Sequence, residues 1–166
     1  MFKELRLISV LRREEKERIR GFEVVSDAHR IHKGEIKLPQ RGTSKAMAYD
    51  FFSPIDVKIY PGQMEMIFTD VKAYMQDNEA LILNIRSSMG KKDIMLSSVQ
   101  GWIDADYYNN FDNDGNIGIC LKNNSREVYV VHKGDKIAQA MFVPFLVADN
   151  GNVDTLREGG FGSTGK

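Results

Sequence analysis

In the stretch Gly101-Trp102-Ile103-Asp104-Ala105-Asp106-Tyr107, two carboxylates and a phenol sit on a segment otherwise rich in apolar residues. If the segment is extended, Asp104 and Asp106 point to one side and Ala105 and Tyr107 to the other, unless the chain turns at Tyr107. Alone, such a pair is more often a solvated strand end than a catalytic site, but its neighbours change that balance. Upstream, Arg86-Ser87-Ser88-Met89-Gly90 offers a guanidinium and two hydroxyls just past an apolar strand, a set suited to phosphate oxygens. Downstream, Gly134-Asp135-Lys136-Ile137-Ala138-Gln139 opens another strand with a turn and a possible amide donor.

The last ten residues, Arg157-Glu158-Gly159-Gly160-Phe161-Gly162-Ser163-Thr164-Gly165-Lys166, gather phosphate-liganding groups and one aromatic ring on a Gly-rich tether. The spacing Gly160-x-x-x-x-Gly165-Lys166 is most of a phosphate-binding loop, but such a loop needs a Ser or Thr next and then a helix, and neither follows. A bland Gly/Ser tail has no use for a large ring. A segment that closes over a flat substrate would stack Phe161 on a base and wrap backbone N–H groups around phosphate.

Other chemical signals are weak. Asn110, Asp112, Asp114 and Gly115 match the opening of a calcium-binding loop, but Leu121 stands where the bidentate Glu belongs, so a hairpin with an Asp-Gly turn accounts better for these letters. His29 and His32 lack a third ligand nearby and read as loop residues rather than a zinc site. His132 has no identifiable nucleophile partner, which leaves a Ser or Cys hydrolase mechanism without support.

The elements that must position these groups read as β. Short β-branched and aromatic runs at 22–25, 55–60, 64–69, 80–85, 116–121, 127–132 and 137–146 are separated by Ser53-Pro54, Pro61-Gly62, Asp77-Asn78, Asp114-Gly115 and Lys133-Gly134, a spacing that favours a sandwich, jelly roll or distorted barrel. Residues 1–20 differ: Leu5, Ile8 and Leu11 have helical spacing, though the same stretch could begin as a strand. The expected division is an N-terminal extension of unassigned role at 1–20, a β domain at 21–156 and a closing tail at 157–166. Lys plus Arg number 23 and so do Asp plus Glu, which gives no electrostatic case for stable nucleic-acid binding or for lying on an anionic membrane. Cys120 is the only cysteine, which excludes an intrachain disulfide framework and fits a reducing compartment. With no apolar run of membrane-spanning length and no signal-peptide core after 12–20, a cytoplasmic location is expected.

Taken in order, these segments resemble the five motifs of the homotrimeric deoxyuridine triphosphatases. Ala48-Tyr49-Asp50-Phe51 is similar to the first, 86–90 to the second, 101–107 to the third, 134–139 to the fourth and 159–165 to the fifth. The resemblance implies an all-β, distorted jelly-roll or β-clip subunit with a flexible C-terminal lid, and hydrolysis of dUTP to dUMP and pyrophosphate at sites shared among three subunits. It implies Asp104 as the general base, Tyr107 against the deoxyribose, and Ser98, Gly101, Gly118 and Phe161 around the uracil, with a hairpin about Gly101 and Gly118 reading the base. Arg86, Ser87, Ser88, Gln139, Arg157, Ser163 and Thr164 would hold phosphates. Mg2+ would bridge the substrate's phosphates, with Asp50 acting on it through a water.

The chain departs from the family pattern in places. Met47-Ala48 replaces the common Ala-Gly, Ser98 stands where an Asn is usual, and only Glu158 separates Arg157 from Gly159-Gly160. After Tyr107 the usual short link is replaced by Tyr108-Asn109-Asn110-Phe111-Asp112-Asn113-Asp114-Gly115. The related dCTP deaminases share the fold but use a Glu-centred site, whereas this chain carries Asp104-Ala105-Asp106-Tyr107. A nucleotide-responsive binding protein is the alternative that is not an enzyme.

Overall fold

The computed structural model describes residues 18–151, and these are almost entirely β. The strands are β1 Gly21–Val24, β2 Gln40–Arg41, β3 Tyr49–Phe52, β4 Val57–Ile59, β5 Met64–Phe68, β6 Val71–Tyr74, β7 Glu79–Asn84, β8 Ile94–Leu96, β9 Gly101–Asp104, β10 Gly118–Asn123, β11 Tyr129–Val131 and β12 Lys136–Pro144. They form a five-stranded sheet ordered β2-β3-β12-β7-β9, a three-stranded sheet β5-β10-β8, and the pairs β1-β6 and β4-β11. Every pairing is antiparallel.

Side-chain alternation explains the layering. Leu81 and Leu83 on β7, Ala138 and Ala140 on β12 and Phe51 on β3 turn to the interior, where they meet Ile67, Ile94, Leu96, Ile119 and Leu121 from the three-stranded sheet. Phe22 closes one end of this core, edge-on to Phe51 at 5.5 Å and to Tyr49 at 5.2 Å between ring centroids.

The seven runs picked out in the sequence all contain strands, with ends shifted by a few residues. Five strands lie outside them: β2, β3, β6, β8 and β9, the last within the segment 101–107 already considered as extended. Two of the five, β6 and β8, follow turns carried by a lone aspartate with no Gly, Pro or Asn beside it. Asp70, at φ 55°, separates β5 from β6, and Asp93, at φ 57°, precedes β8. Aspartate tolerates the left-handed region because its short side chain bonds locally. Asp70 is held instead by partners distant in sequence: it is buried, accepts from the backbone N–H groups of Ile31 and His32, and pairs with the Asn116 amide.

Candidate functional site

On the outer face of the five-stranded sheet one polar row crosses four strands. Gln40 stands opposite Asp50, Asp50 opposite Gln139, and Gln139 opposite Asn84. The row continues past the start of β9, where the Gln100 amide donates to Asn84 Oδ1 at 3.3 Å. Asp50 is its electrostatic centre. Its carboxylate is buried between two cations, with Arg86 Nε at 2.9 Å from Oδ1 and Lys136 Nζ at 2.7 Å from Oδ2. Gln139 Nε2 donates to the Ile85 carbonyl at 3.1 Å, which ties the row to the segment carrying Arg86.

Lys136 reaches Asp50 only because β12 is bulged. Lys136 pairs with Phe52 and Ala138 with the adjacent Phe51, so Ile137 is an extra residue, and Ile137 and Ala138 both turn inward. Strict alternation from Gln139 would point Lys136 into the core; the bulge returns it to the outer face. After Arg86 the chain makes one helical turn, Ser87–Gly90, anchored by buried Met89, and leaves Ser87 and Ser88 exposed.

The second group of candidates gathers at the sheet's edge. β9 pairs with β7 so that Gly101 faces Leu83 and Asp104 faces Ala80. A Cβ on Gly101 would lie 3.0 Å from Leu83 Cβ, so close packing of the two strands itself calls for glycine there. Trp102 and Asp104, two apart, are both exposed. β9 ends at Asp104, and Ala105–Tyr107 forms a 3-10 turn, so the alternation expected to place Asp104 and Asp106 on one side stops after Asp104. The chain turns because Tyr107 is drawn inward: it is 7% exposed, and its hydroxyl donates to the Asn116 carbonyl at 3.0 Å and accepts from Asn113 Nδ2 at 2.8 Å.

The loop 108–115 is stitched to itself and to the N-terminal strand. Asn110 Oδ1 accepts from the N–H groups of Asp112 and Asn113, and Asn113 Oδ1 accepts from the Gly115 N–H and the Asn110 amide. Asp114 Oδ2 accepts from Lys72 Nζ at 2.9 Å and from the Ser26 N–H at 2.7 Å, and the Tyr108 hydroxyl donates to Glu23 at 2.6 Å. Burial, the largest influence on Asp114, pushes its carboxyl up, but the Ser26 N–H and Lys72 outweigh it and hold the group below the ordinary range. Glu23 behaves alike: burial raises it, and Tyr108 and Arg18 bring it down on balance. The letters that suggested a calcium loop therefore make Asx turns and an ion pair. Among the described residues no group of three or more His, Cys, Asp or Glu side chains is placed to hold a metal. His32 Nε2 contacts the Phe68 carbonyl and His29 Nδ1 the Ser26 hydroxyl.

The expected hairpin around Gly101 and Gly118 is corrected. Gly101 belongs to the five-stranded sheet, whereas Gly118 stands opposite Phe68 in the three-stranded one. The loop between β9 and β10 folds back over Tyr107 and does not zip the two strands together. Ser98 lies in the exposed turn between β8 and β9, where its hydroxyl donates to the Gln100 carbonyl. Its neighbour Val99 holds φ 66°, a costly conformation for a β-branched residue. Phe161, Arg157, Ser163 and Thr164 lie outside the described residues, as does most of the 1–20 extension.

Within the chain the two groups stand well apart. Three strand spacings and four residues of strand separate Asp50 from Asp104, on the order of 20 Å. Between the polar row and Asp104 runs an apolar row of Met141, Ile82 and Trp102. Asp104, Ala105 and Asp106 line a shallow cleft of about 380 Å³ with Asp77 and Phe145. A larger cleft, about 950 Å³, runs between 91–93 and 124–130, but holds none of the residues singled out from the sequence. Lys136 was not singled out from the sequence, because strand parity points it inward; Asn113 and Asn116 were missed because they act on Tyr107 through hydrogen bonds that spacing does not reveal. No helix among the described residues is long and apolar enough to cross a membrane.

Comparison with known proteins agrees with this architecture. The dUTPase family model matches residues 34–165. The chain is 42% identical over 151 residues to deoxyuridine 5'-triphosphate nucleotidohydrolase of Lactococcus lactis, covering 89% of this chain and 99% of that protein. It is 35% identical over 133 residues to the mouse protein of the same name, covering 77% and 78%. The crystal structure of dUTPase from Streptococcus mutans superposes with a TM-score of 0.71 at 38% identity, covering 78% of this chain and 99% of that one. On the matched length, the identity and the shared fold, the chain belongs to the dUTPase family.

Proposed function

We propose that this protein hydrolyses dUTP to dUMP and pyrophosphate as a cytoplasmic homotrimer. The observation that carries the reading is the placement of the motif residues: an exposed carboxylate, Asp104, ends an edge strand three residues before the buried Tyr107, in a chain of this family. Asp104 orients a water and takes its proton as the oxygen attacks the α-phosphorus. The bond from the α-phosphorus to the bridging oxygen breaks, and pyrophosphate leaves. Tyr107 lies against the deoxyribose, and Gly101, Gly118 and Ser98 border the uracil, whose acceptor at O4 and donor at N3 are the reverse of cytosine's pattern. Arg86, Ser87, Ser88 and Gln139 hold phosphate oxygens in a geometry suited to attack.

Magnesium fits as an ion carried by the substrate. The described residues offer no carboxylate cage, and each Asp50 oxygen engages one cation while keeping a second lone pair for a water. Carried with the substrate, the ion would offset charge that builds on the leaving phosphates. Asp50 would hold it through a water, and Arg86 and Lys136 fix the Asp50 carboxylate for that role.

The separation of about 20 Å between Asp50 and Asp104 favours completion of each site by a neighbouring subunit. The segment 157–166 closes it, with Phe161 over the base and Arg157, Ser163 and Thr164 on the phosphates. Residues 21–156 form the catalytic domain in this reading, and 1–20 are an extension outside it. Phosphorus NMR of products from dUTP, dCTP, dTTP and UTP tests the proposal. The expected result is pyrophosphate and dUMP from dUTP, far faster than any product from the others; γ-phosphate release, or ammonia from dCTP as the main activity, would overturn it.

A further inference from the structure

The loop 108–115 is where the chain departs most from the family pattern, and it wraps the far end of Tyr107. Asn113 sits at its crossing point. Its Nδ2 donates to the Tyr107 hydroxyl at 2.8 Å, while its Oδ1 accepts from the Gly115 N–H at 3.0 Å and the Asn110 amide at 2.8 Å. The hydroxyl is thereby fixed from two sides, because it also donates to the Asn116 carbonyl. Asn116 is itself clamped to buried Asp70 by a reciprocal amide pair at 2.8 and 2.9 Å. The backbone below the ring is equally confined: a Cβ on Gly115 would lie 2.8 Å from the Tyr107 carbonyl oxygen. The loop is held down by Lys72 on Asp114 and by Tyr108 on Glu23.

We propose that Asn113 is a positioning residue that sets the preference for deoxyribose over ribose, by holding Tyr107 so that its ring cannot yield to a 2′-hydroxyl. The inference rests on the assignment of Tyr107 to the sugar under the proposed function. A steric gate discriminates only as far as it is stiff. A ring anchored by its backbone alone can tilt away from an added oxygen, whereas one pinned at the hydroxyl must break two hydrogen bonds to do so. Packing around a 7% exposed ring limits its sideways escape.

The test uses the full chain with magnesium and measures kcat and KM for dUTP and UTP. Asn113→Asp keeps the Oδ1 acceptor that shapes the turn and replaces the amide donor shared by the Tyr107 hydroxyl and the Asn116 carbonyl with an acceptor, so that the hydroxyl's single proton can serve Asn116 or the carboxylate but not both. The ratio of kcat/KM for dUTP over UTP is expected to fall about tenfold, while kcat for dUTP stays within about threefold of the parent. Tyr107→Phe, which removes the pinned hydroxyl, should lower the ratio by a similar factor, and the double variant should fall no further. An unchanged ratio in Asn113→Asp, or two effects that multiply in the double variant, would overturn the proposal. If Asn113→Asp does not fold, Tyr107→Phe decides alone: full retention of the preference overturns it. Tyr107→Ala separates the layers. If it leaves the preference intact, Tyr107 does not face the sugar and both readings fall; if it collapses the preference while Asn113→Asp and Tyr107→Phe do not, only the pinning is wrong.

Discussion

Asp104 and Asp50 are carboxylates on the same face of one sheet, yet their surroundings suit them to different work. Asp50 is buried and bound by Arg86 and Lys136, so its oxygens are engaged with fixed cations. Asp104 is exposed at a strand end beside Ala105 and Asp106, where a water has access. Replacing Asp104 with Asn keeps the shape and removes the base, so kcat should fall on the order of a hundredfold or more. Binding of a non-hydrolysable dUTP analogue, measured by calorimetry, should stay near the parent value; turnover close to the parent rate would place the base elsewhere. The proposed site residues Asp104, Tyr107 and Arg86 could be picked out from the sequence because the motifs fix their order along the chain. Lys136 was not, since its side depends on a one-residue bulge that no alternation rule announces.

At the level of elements, part of what escaped sequence reading lies beside turns that place aspartate or asparagine in the left-handed region. Asp70, Asp93, Asn109 and Asp114 all have φ between 55° and 59°. Asp70 and Asp93 stand without the Gly, Pro or Asn neighbour that marked the turns read from the sequence, so β6 and β8 were missed, and Asp114-Gly115 was read as the turn of a hairpin. The continuous apolar run of β7 and the clean alternation of β10 needed no such help. One of these aspartates, Asp114, together with Glu23, makes the loop sensitive to acid. Asp114 and Glu23 both titrate below their ordinary range in the folded protein, so each contributes stability that is complete above its unfolded value and disappears as pH falls through its folded one. Thermal midpoints should therefore begin to drop as pH falls below about 4. Asp114→Asn should cost about 2 kcal/mol at pH 7, because it leaves the Lys72 ammonium poorly paired, and should flatten the acid limb of the midpoint-versus-pH curve. A variant with the parent's acid limb would show that this ion pair carries none of the dependence.

For the molecule as a whole, the proposed function requires two groups about 20 Å apart on one sheet to serve a single substrate. In the shared-site reading a subunit lacking its base can still lend its tail to a neighbour. Mixing Asp104→Asn chains with chains truncated before Gly159 should form hybrids that recover part of the activity absent from either alone. Hybrids that form by sedimentation but recover nothing would contradict shared sites. The apolar row between the two groups offers a way to watch them. Trp102 is the chain's only tryptophan, and it stands 64% exposed two residues before Asp104. Its indole is therefore a native optical probe of whatever covers that face. On dilution to isolated subunits its emission should lie to the red, as for a solvated indole, and shift to the blue on assembly. Because no second indole contributes, the shift would report occupancy of this one strand edge without a label.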